Sequence, residues 1–299
     1  MSASSAGAAP GEDPTGEGGI GSAPGELLEL ARSLAVTAGG LLLESFSDGR
    51  EHEIDSKSTP TDLVSEADRL AERVIREGLA ARRPADGFLG EESGGQEGSS
   101  GLRWVVDPLD GTVNFLFGIP QWCVSIAVQD ERGSLAGVIY DPLRGDLYSA
   151  IRGGAPTVEM ASRPNPLHGE EPARSRETHT LSASACGELA TAMIATGFAY
   201  DARVRNAQAR VLARAIPRVR DIRRFGSAAL DLAWTAAGRY DAYFERTVKP
   251  WDIAAGTLLC EAAGLRVLEL PVHEDLPWGI LVAPPVLCEP LLELVGGPA

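Results

Sequence analysis

Hydrophobic positions change their spacing several times along the chain, and each change predicts an element. Leu27, Leu28, Leu30, Ala31, Leu34, Ala35, Ala38, Leu41, Leu42 and Leu43 recur at steps of three and four, the stripe of an amphipathic helix opening at Glu26. A polar turn is expected over 47–61, then a second helix over 62–81, ended by Pro84. Short strands are expected at 87–89 and 102–107, the second an apolar run (LRWVVD) stopped by Pro108. Strands at 124–129, 137–140 and 146–150, with turn residues between them, have the pattern of an antiparallel meander. Residues 153–180 are rich in Pro, Gly and charge and read as a linker. Beyond it the pattern gives helices at about 202–216 and 226–238, a strand at 240–244, a helix at 252–263 and a closing strand-helix-strand. This mixture implies an α+β fold of stacked helix and sheet layers, with a cleft between halves 26–175 and 176–299.

The first 25 residues stand outside this pattern. They are almost all Gly, Ala, Ser, Pro and acid, the composition of a disordered tail. Their GEGGIG at 16–21 has the form GxGxxG, but no strand can precede it, so it is not a dinucleotide site. Over the whole 299 residues, 42 Asp and Glu face 27 Lys and Arg, a net charge of −15. Nucleic acids and anionic membranes both want a basic face, so neither is an expected partner. The 44% hydrophobic content supplies a buried core. Cys123, Cys186, Cys260 and Cys288 form no CxxC pair, which excludes a zinc ribbon or a thioredoxin-like motif; reduced thiols in the cytoplasm are the favoured reading, with two long-range disulfides as the alternative. No secretory signal pattern and no membrane-length apolar run is present, so the expected location is cytoplasmic.

Several chemistries are missing. There is no P-loop, no GxSxG elbow and no HxxxH spacing among the four histidines. What remains is carboxylates at turn positions: Asp62 and Asp68 in TDLVSEAD, Glu91 and Glu92 in FLGEES, Asp107 and Asp110 in WVVDPLDGTVNF, and Asp252 in KPWDIAAG. Taken singly, each is an ordinary cap or a solvated loop. Asp107 and Asp110 stand three apart rather than at alternate positions, which rules out an EF-hand loop. The DPLDG turn has a further use. A strand delivers Asp107 past the sheet edge, Pro108 stops its pairing, and Asp110 returns to the same point near the Leu109 carbonyl. Gly111 and Thr112 then open a helix whose free N–H groups suit an anion. Hard oxygen ligands beside an anion site suit Mg²⁺ and a phosphate, and a bridging Asp that holds two metals ~3.5–4 Å apart makes a phosphoryl-transfer site.

In these segments, and in FGSAALDLAWTAAGRYDAYFE and WDIAAGTLLCEAAG, the sequence resembles the inositol monophosphatase family of Mg²⁺-dependent, lithium-inhibitable phosphatases. The resemblance covers about residues 26–270 and implies the layered αβαβα sandwich shared with fructose-1,6-bisphosphatases, assembled as a homodimer. It implies two to three Mg²⁺ ions: Glu91, Asp107 and the Leu109 carbonyl on the first, Asp107, Asp110 and Asp252 on the second, and Glu91 with waters on a weaker third. Asp68 and Thr112 would orient and deprotonate the attacking water, with Glu91 counted in the catalytic set. Asp110 and Asp252 would also bind substrate, the Gly111 and Thr112 amides its phosphate oxygens, Glu245 a substrate hydroxyl, and Gly226, Ser227 and Ala228 would line the alcohol side. The reaction would be direct in-line attack of water on a phosphomonoester, without a covalent intermediate. The sequence departs from the family pattern after RGGA (152–155), where the usual Asn-Gly is missing, and at Ala283-Pro284-Pro285.

Val113-Asn114-Phe115 after DGT and Glu245 before the WD motif resemble the inositol-phosphate branch, which points to inositol 1-phosphate or a related polyol phosphate. Histidinol phosphate, phosphoadenosine phosphate and fructose 1,6-bisphosphate are the alternatives within the same chemistry. A non-catalytic regulatory binding protein is the alternative from another class, and the complete ligand set argues against it.

Overall fold

The computed structural model describes residues 23–47, 54–56, 63–161 and 176–297; the tail expected over 1–25 lies almost wholly outside them. Helix α1 (Pro24–Ser47) carries the leucine stripe, with Leu27, Leu30, Leu34 and Leu42 buried. Strands β1 (Ile54–Ser56) and β2 (Leu63–Ser65) pair antiparallel, so strands occupy part of the expected turn and of the expected second helix. Helix α2 (Glu66–Arg82) starts only after β2. Leu63 and Val64 fit the helical stripe by spacing, and a three-residue strand has no periodicity of its own to compete with it.

Strands β3 (Gly87–Gly90) and β4 (Gly94–Gln96) form a hairpin, and β4, Gly-Gly-Gln, left no apolar signal in the sequence. Strand β5 (Arg103–Asp110) runs parallel to β3 and leads into the short helix α3 (Thr112–Leu116). It does not stop at Pro108. Asp107 pairs with Ser125 and Asp110 with Cys123 on β6 (Cys123–Asp130), so Pro108 and Leu109 together oppose one residue. A bulge tolerates the missing proline N–H that a regular ladder would not. Strands β7 (Gly133–Asp141) and β8 (Asp146–Ile151) continue the meander.

The expected linker at 153–180 is also corrected. Strands β9 (Thr157–Ala161) and β10 (Arg176–Thr180) extend the sheet antiparallel, and residues 162–175 lie outside the described residues. Every residue of β10 is exposed at this sheet edge, which removes the alternation that marks a strand. The finished sheet has eight strands in the order β10-β9-β8-β7-β6-β5-β3-β4.

The remainder builds a second sheet from β11 (Met193–Thr196), α4 (Ala202–Ala215), β12 (Asp221–Arg223), α5 (Ala228–Ala236), β13 (Ala242–Arg246), α6 (Pro250–Ala262), β14 (Arg266–Leu270), β15 (Gly279–Ala283) and α7 (Pro285–Val295). Its five strands run β12-β11-β13-β15-β14, parallel across the first three and antiparallel beyond. The chain therefore closes strand-strand-helix rather than strand-helix-strand. Pro285 sits at the first position of α7, where its fixed φ favours a helix and its missing N–H costs nothing.

Three apolar clusters bind the layers. Leu27, Leu34 and Ile75 from α1 and α2 meet Val124, Ile126 and Val128 on one face of β6. Cys123 and Ala127 on its other face meet Leu232, Ala255 and Leu259 from α5 and α6. The far side of the second sheet is covered by Val211 of α4 and Leu291 of α7. The order is thus α1/α2, eight-stranded sheet, α5/α6, five-stranded sheet, α4/α7: an αβαβα sandwich. Helix α5, between two sheets, is buried at all nine positions, as expected of a helix with no solvent face. Among the described residues no helix is long and apolar enough to cross a membrane, and all four cysteines are free.

Candidate active site

The bulge in β5 shapes the site. The Leu109 N–H donates to Asp107 Oδ1 at 3.0 Å, and the Leu109 side chain fills the core below. This leaves Asp107, the Leu109 carbonyl and Asp110 together at the end of the sheet. Gly111 then turns the chain at φ 98, where a Cβ would stand 2.9 Å from the Gln121 carbonyl oxygen. That left-handed conformation and close approach admit only glycine without strain. The turn points Thr112 back, and its hydroxyl lies 3.0 Å from Asp68 Oδ1 and 3.1 Å from the Leu109 oxygen. Asp68, in the first turn of α2, is fully buried.

The other acids arrive from distant segments. Glu91 follows β3, its N–H tied to the Val106 oxygen at 3.2 Å, and its carboxylate is close enough to raise the proton affinity of Asp107. Asp252 lies in the first turn of α6 and accepts from the Lys249 N–H at 2.6 Å. Asp110 reaches the start of α5, where it accepts from the Ser227 hydroxyl at 2.5 Å, from Ala229 N–H at 2.8 Å and from Ala228 N–H at 3.2 Å. A carboxylate at a helix N-terminus is stabilised by the orphan N–H groups and the dipole. Glu245 on β13 accepts from the Tyr243 hydroxyl at 2.9 Å.

These groups line one pocket of about 500 Å³. Glu91, Asp107, Leu109, Asp110, Gly111 and Thr112 form one wall, Gly226, Ala228, Glu245, Trp251 and Asp252 form the other, and Phe198, Arg224 and Lys249 also line the pocket. Two expected site residues do not reach the pocket surface. Ser227 is buried behind it and holds Asp110, so it does not line the alcohol side, and Asp68 stands behind Thr112.

Crowded carboxylates in a dry site resist ionisation. Burial, then the charges of Glu91, Asp110 and Asp252, holds Asp107 well above the usual carboxylate range. Burial, then Asp110 and Glu91, does the same to Asp252. Burial raises Asp110 to about 6 against the opposing pull of Ser227 and Ala229, and it raises Glu245 to about 7. Among the described residues no three His, Cys, Asp or Glu side chains converge on a single ion-sized point; the acids share the lining of one pocket. Their chemistry nevertheless fits a hard divalent cation, since all donors are oxygens and each carboxylate raises its neighbours' proton affinity.

Two residues outside the expected site set support this pocket: Asn114, which the sequence marked only as part of a family motif, and Glu72, which it did not mark. Asn114 Nδ2 donates to the carbonyl oxygens of Gln121 and Phe225, both at 2.7 Å, and ties α3 to the loop before α5. Glu72 accepts from the N–H groups of Glu92 and Ser93, both at 2.8 Å. A signal for Glu72 was present. It lies four residues after Asp68 on the buried face that continues through Ile75 and Leu79, and an acid on an apolar stripe needs a partner.

The inositol monophosphatase family model matches residues 24–289. The chain belongs to the inositol monophosphatase family. An inositol-1-monophosphatase of Mycobacterium bovis is 42% identical over 259 residues, covering 82% of this chain and 84% of that protein. A Xylella fastidiosa relative named Nus factor SuhB is 40% identical over 231 residues, 77% of each chain. Among solved structures, the extragenic suppressor protein suhB of Bartonella henselae superposes with a TM-score of 0.78 at 32% identity, covering 90% of this chain and 98% of that one. This inositol monophosphatase family member is accordingly a phosphomonoester hydrolase with the family's sandwich fold, and the family is metal-dependent.

Proposed function

We propose that the protein hydrolyses inositol 1-phosphate or a closely related polyol phosphate with the help of Mg²⁺. One observation carries this reading: the Thr112 hydroxyl, within reach of buried Asp68, opens onto a pocket shared by Glu91, Asp107, Asp110 and Asp252. In the proposed site Glu91, Asp107, the Leu109 carbonyl, Asp110 and Asp252 hold the cation. Bound Mg²⁺ supplies positive charge that offsets both this acidic wall and the transferring phosphoryl group. The chain's own residues do the rest. Thr112 Oγ accepts a proton from the attacking water as its own proton passes to Asp68, because a neutral hydroxyl is too weak a base without a carboxylate behind it. The Gly111 and Thr112 amides orient phosphate oxygens. On the far wall Glu245 takes a hydroxyl of the leaving polyol, and Gly226 and Ala228 pack beside it; Asp110 and Asp252 face the same substrate.

The names of the mycobacterial relatives support inositol 1-phosphate as the ester. The exposed Phe117, Ile119 and Phe225 support a homodimer that covers them, and the free cysteines support a cytoplasmic location. The test is phosphate release from inositol 1-phosphate, histidinol phosphate and phosphoadenosine phosphate, each with and without Mg²⁺. Mg²⁺-dependent turnover favouring the first is expected; preference for another ester would keep the chemistry and replace the substrate. The Nus factor name of the Xylella relative favours a second reading, a regulatory binding role. A cellular effect that survives Asp110→Asn after phosphate release is lost would establish that role.

A further inference from the structure

We propose that Glu72 is a positioning residue for Glu91: it holds the turn that carries Glu91 against Asp107 and thereby sets the pocket's affinity for a divalent cation. The inference rests on the Mg²⁺ reading above. Helix α2 presents two buried acids one turn apart, Asp68 to Thr112 and Glu72 to the loop after β3. Glu72 is only 3% exposed. One carboxylate oxygen accepts from the Glu92 N–H and the other from the Ser93 N–H, each at 2.8 Å. The N–H of Glu91 itself is fixed to Val106, the neighbour of Asp107 in β5. Three consecutive amides are therefore pinned, two of them by a single side chain.

The local sequence accommodates that side chain. A Cβ at Gly90 would stand 2.4 Å from Glu72 Oε2, so the glycine leaves the space the carboxylate fills. A charged acceptor in a dry site makes stronger hydrogen bonds than a neutral one, and only a carboxylate offers an acceptor to both amides. Glutamine in its place can satisfy one N–H with its oxygen and sets an N–H donor against the other. The cost then falls on the direction of Glu91. Groups that orient metal ligands typically change metal affinity about 10–100-fold when altered.

The test is a Mg²⁺ titration of the full-length protein read by tryptophan fluorescence, with Trp251 in the pocket wall as reporter, alongside kcat at saturating Mg²⁺. Glu72→Gln is expected to raise the half-saturating Mg²⁺ concentration about 10–100-fold while most of kcat returns at saturation. Glu72→Asp keeps the charge and both acceptors but loses one methylene of reach. It should fall between wild type and Glu72→Gln, and it serves if the glutamine variant does not fold. Unchanged Mg²⁺ binding with a lowered melting temperature would make Glu72 a fold anchor and overturn the proposal. Absence of Mg²⁺ binding in the wild-type protein would instead overturn the cation reading on which it rests.

Discussion

At the scale of single residues, the Thr112 hydroxyl on the pocket wall stands against a buried carboxylate. Thr112 has one proton and two acceptors in reach, the Asp68 carboxylate and the Leu109 carbonyl. Only the carboxylate can take the proton. Thr112→Ala should therefore lower kcat by about 10²–10⁴-fold, the range of a lost proton-transfer partner, with a much smaller effect on KM. Thr112→Ser keeps the hydroxyl and should restore most of the rate. Steady-state kinetics on the two variants would decide this, and equal losses in both would show that the threonine methyl, not the hydroxyl, is what matters. Asp110→Asn probes the same wall where it meets the start of α5. An amide can accept from only some of Ser227, Ala228 and Ala229, and it sets an N–H against a donor. Phosphate release should fall and the melting temperature should fall with it, because the same side chain organises the start of α5.

Elements set what these residues can do, and the bulge in β5 is the clearest case. It inserts Pro108 and Leu109 against one residue of β6, so that Asp107 and Asp110 emerge on the same side, and Gly111 then reverses the chain at φ 98. Gly111→Ala forces a Cβ to 2.9 Å from a backbone oxygen in a conformation L-residues resist. A lowered melting temperature in a thermal scan, together with loss of activity, is the expected result. Little of this bulge was legible in the sequence, since Pro108 reads as the end of a strand whenever the ladder is assumed regular. Strands covered on both faces were legible: β6 sends Val124, Ile126 and Val128 to one helical layer and Cys123 and Ala127 to the other. Strands β4 and β10 were not, because exposed edges carry no burial pattern. The acids could be found as motifs, yet nothing in their separate spacings brings Glu91, Asp107 and Asp252 to one pocket. That gathering belongs to the order of the sheets, which the family resemblance supplied.

Across the whole molecule, the fold places acids from both sheets where burial opposes their ionisation, and this makes stability depend on pH and on the cation. Asp110 is raised to about 6, Glu245 to about 7, and Asp107 and Asp252 well above their usual range. A carboxyl group whose pKa is higher folded than unfolded binds its proton more tightly when folded. Its contribution to stability is complete below the unfolded value near 4 and is lost as pH rises through the folded value. Without divalent cations the melting temperature should accordingly fall between pH 5 and pH 8, most steeply between about 5 and 6, where all four groups are ionised unfolded and still protonated folded, and less steeply above as Asp110 and then Glu245 ionise in the folded state. Mg²⁺ binds the ionised carboxylates of the folded state, so it should raise the melting temperature most at pH 8 and least at pH 5, where protons compete for the same oxygens. At a Mg²⁺ concentration about 100 times the dissociation constant the gain is about 2.7 kcal/mol. Scanning calorimetry across that range, with EDTA or with Mg²⁺, separates the two curves. A melting temperature indifferent to pH in EDTA would mean that relaxation or water entry already relieves the repulsion among these acids. A Mg²⁺ effect equal at both pH values would place the cation somewhere other than this wall.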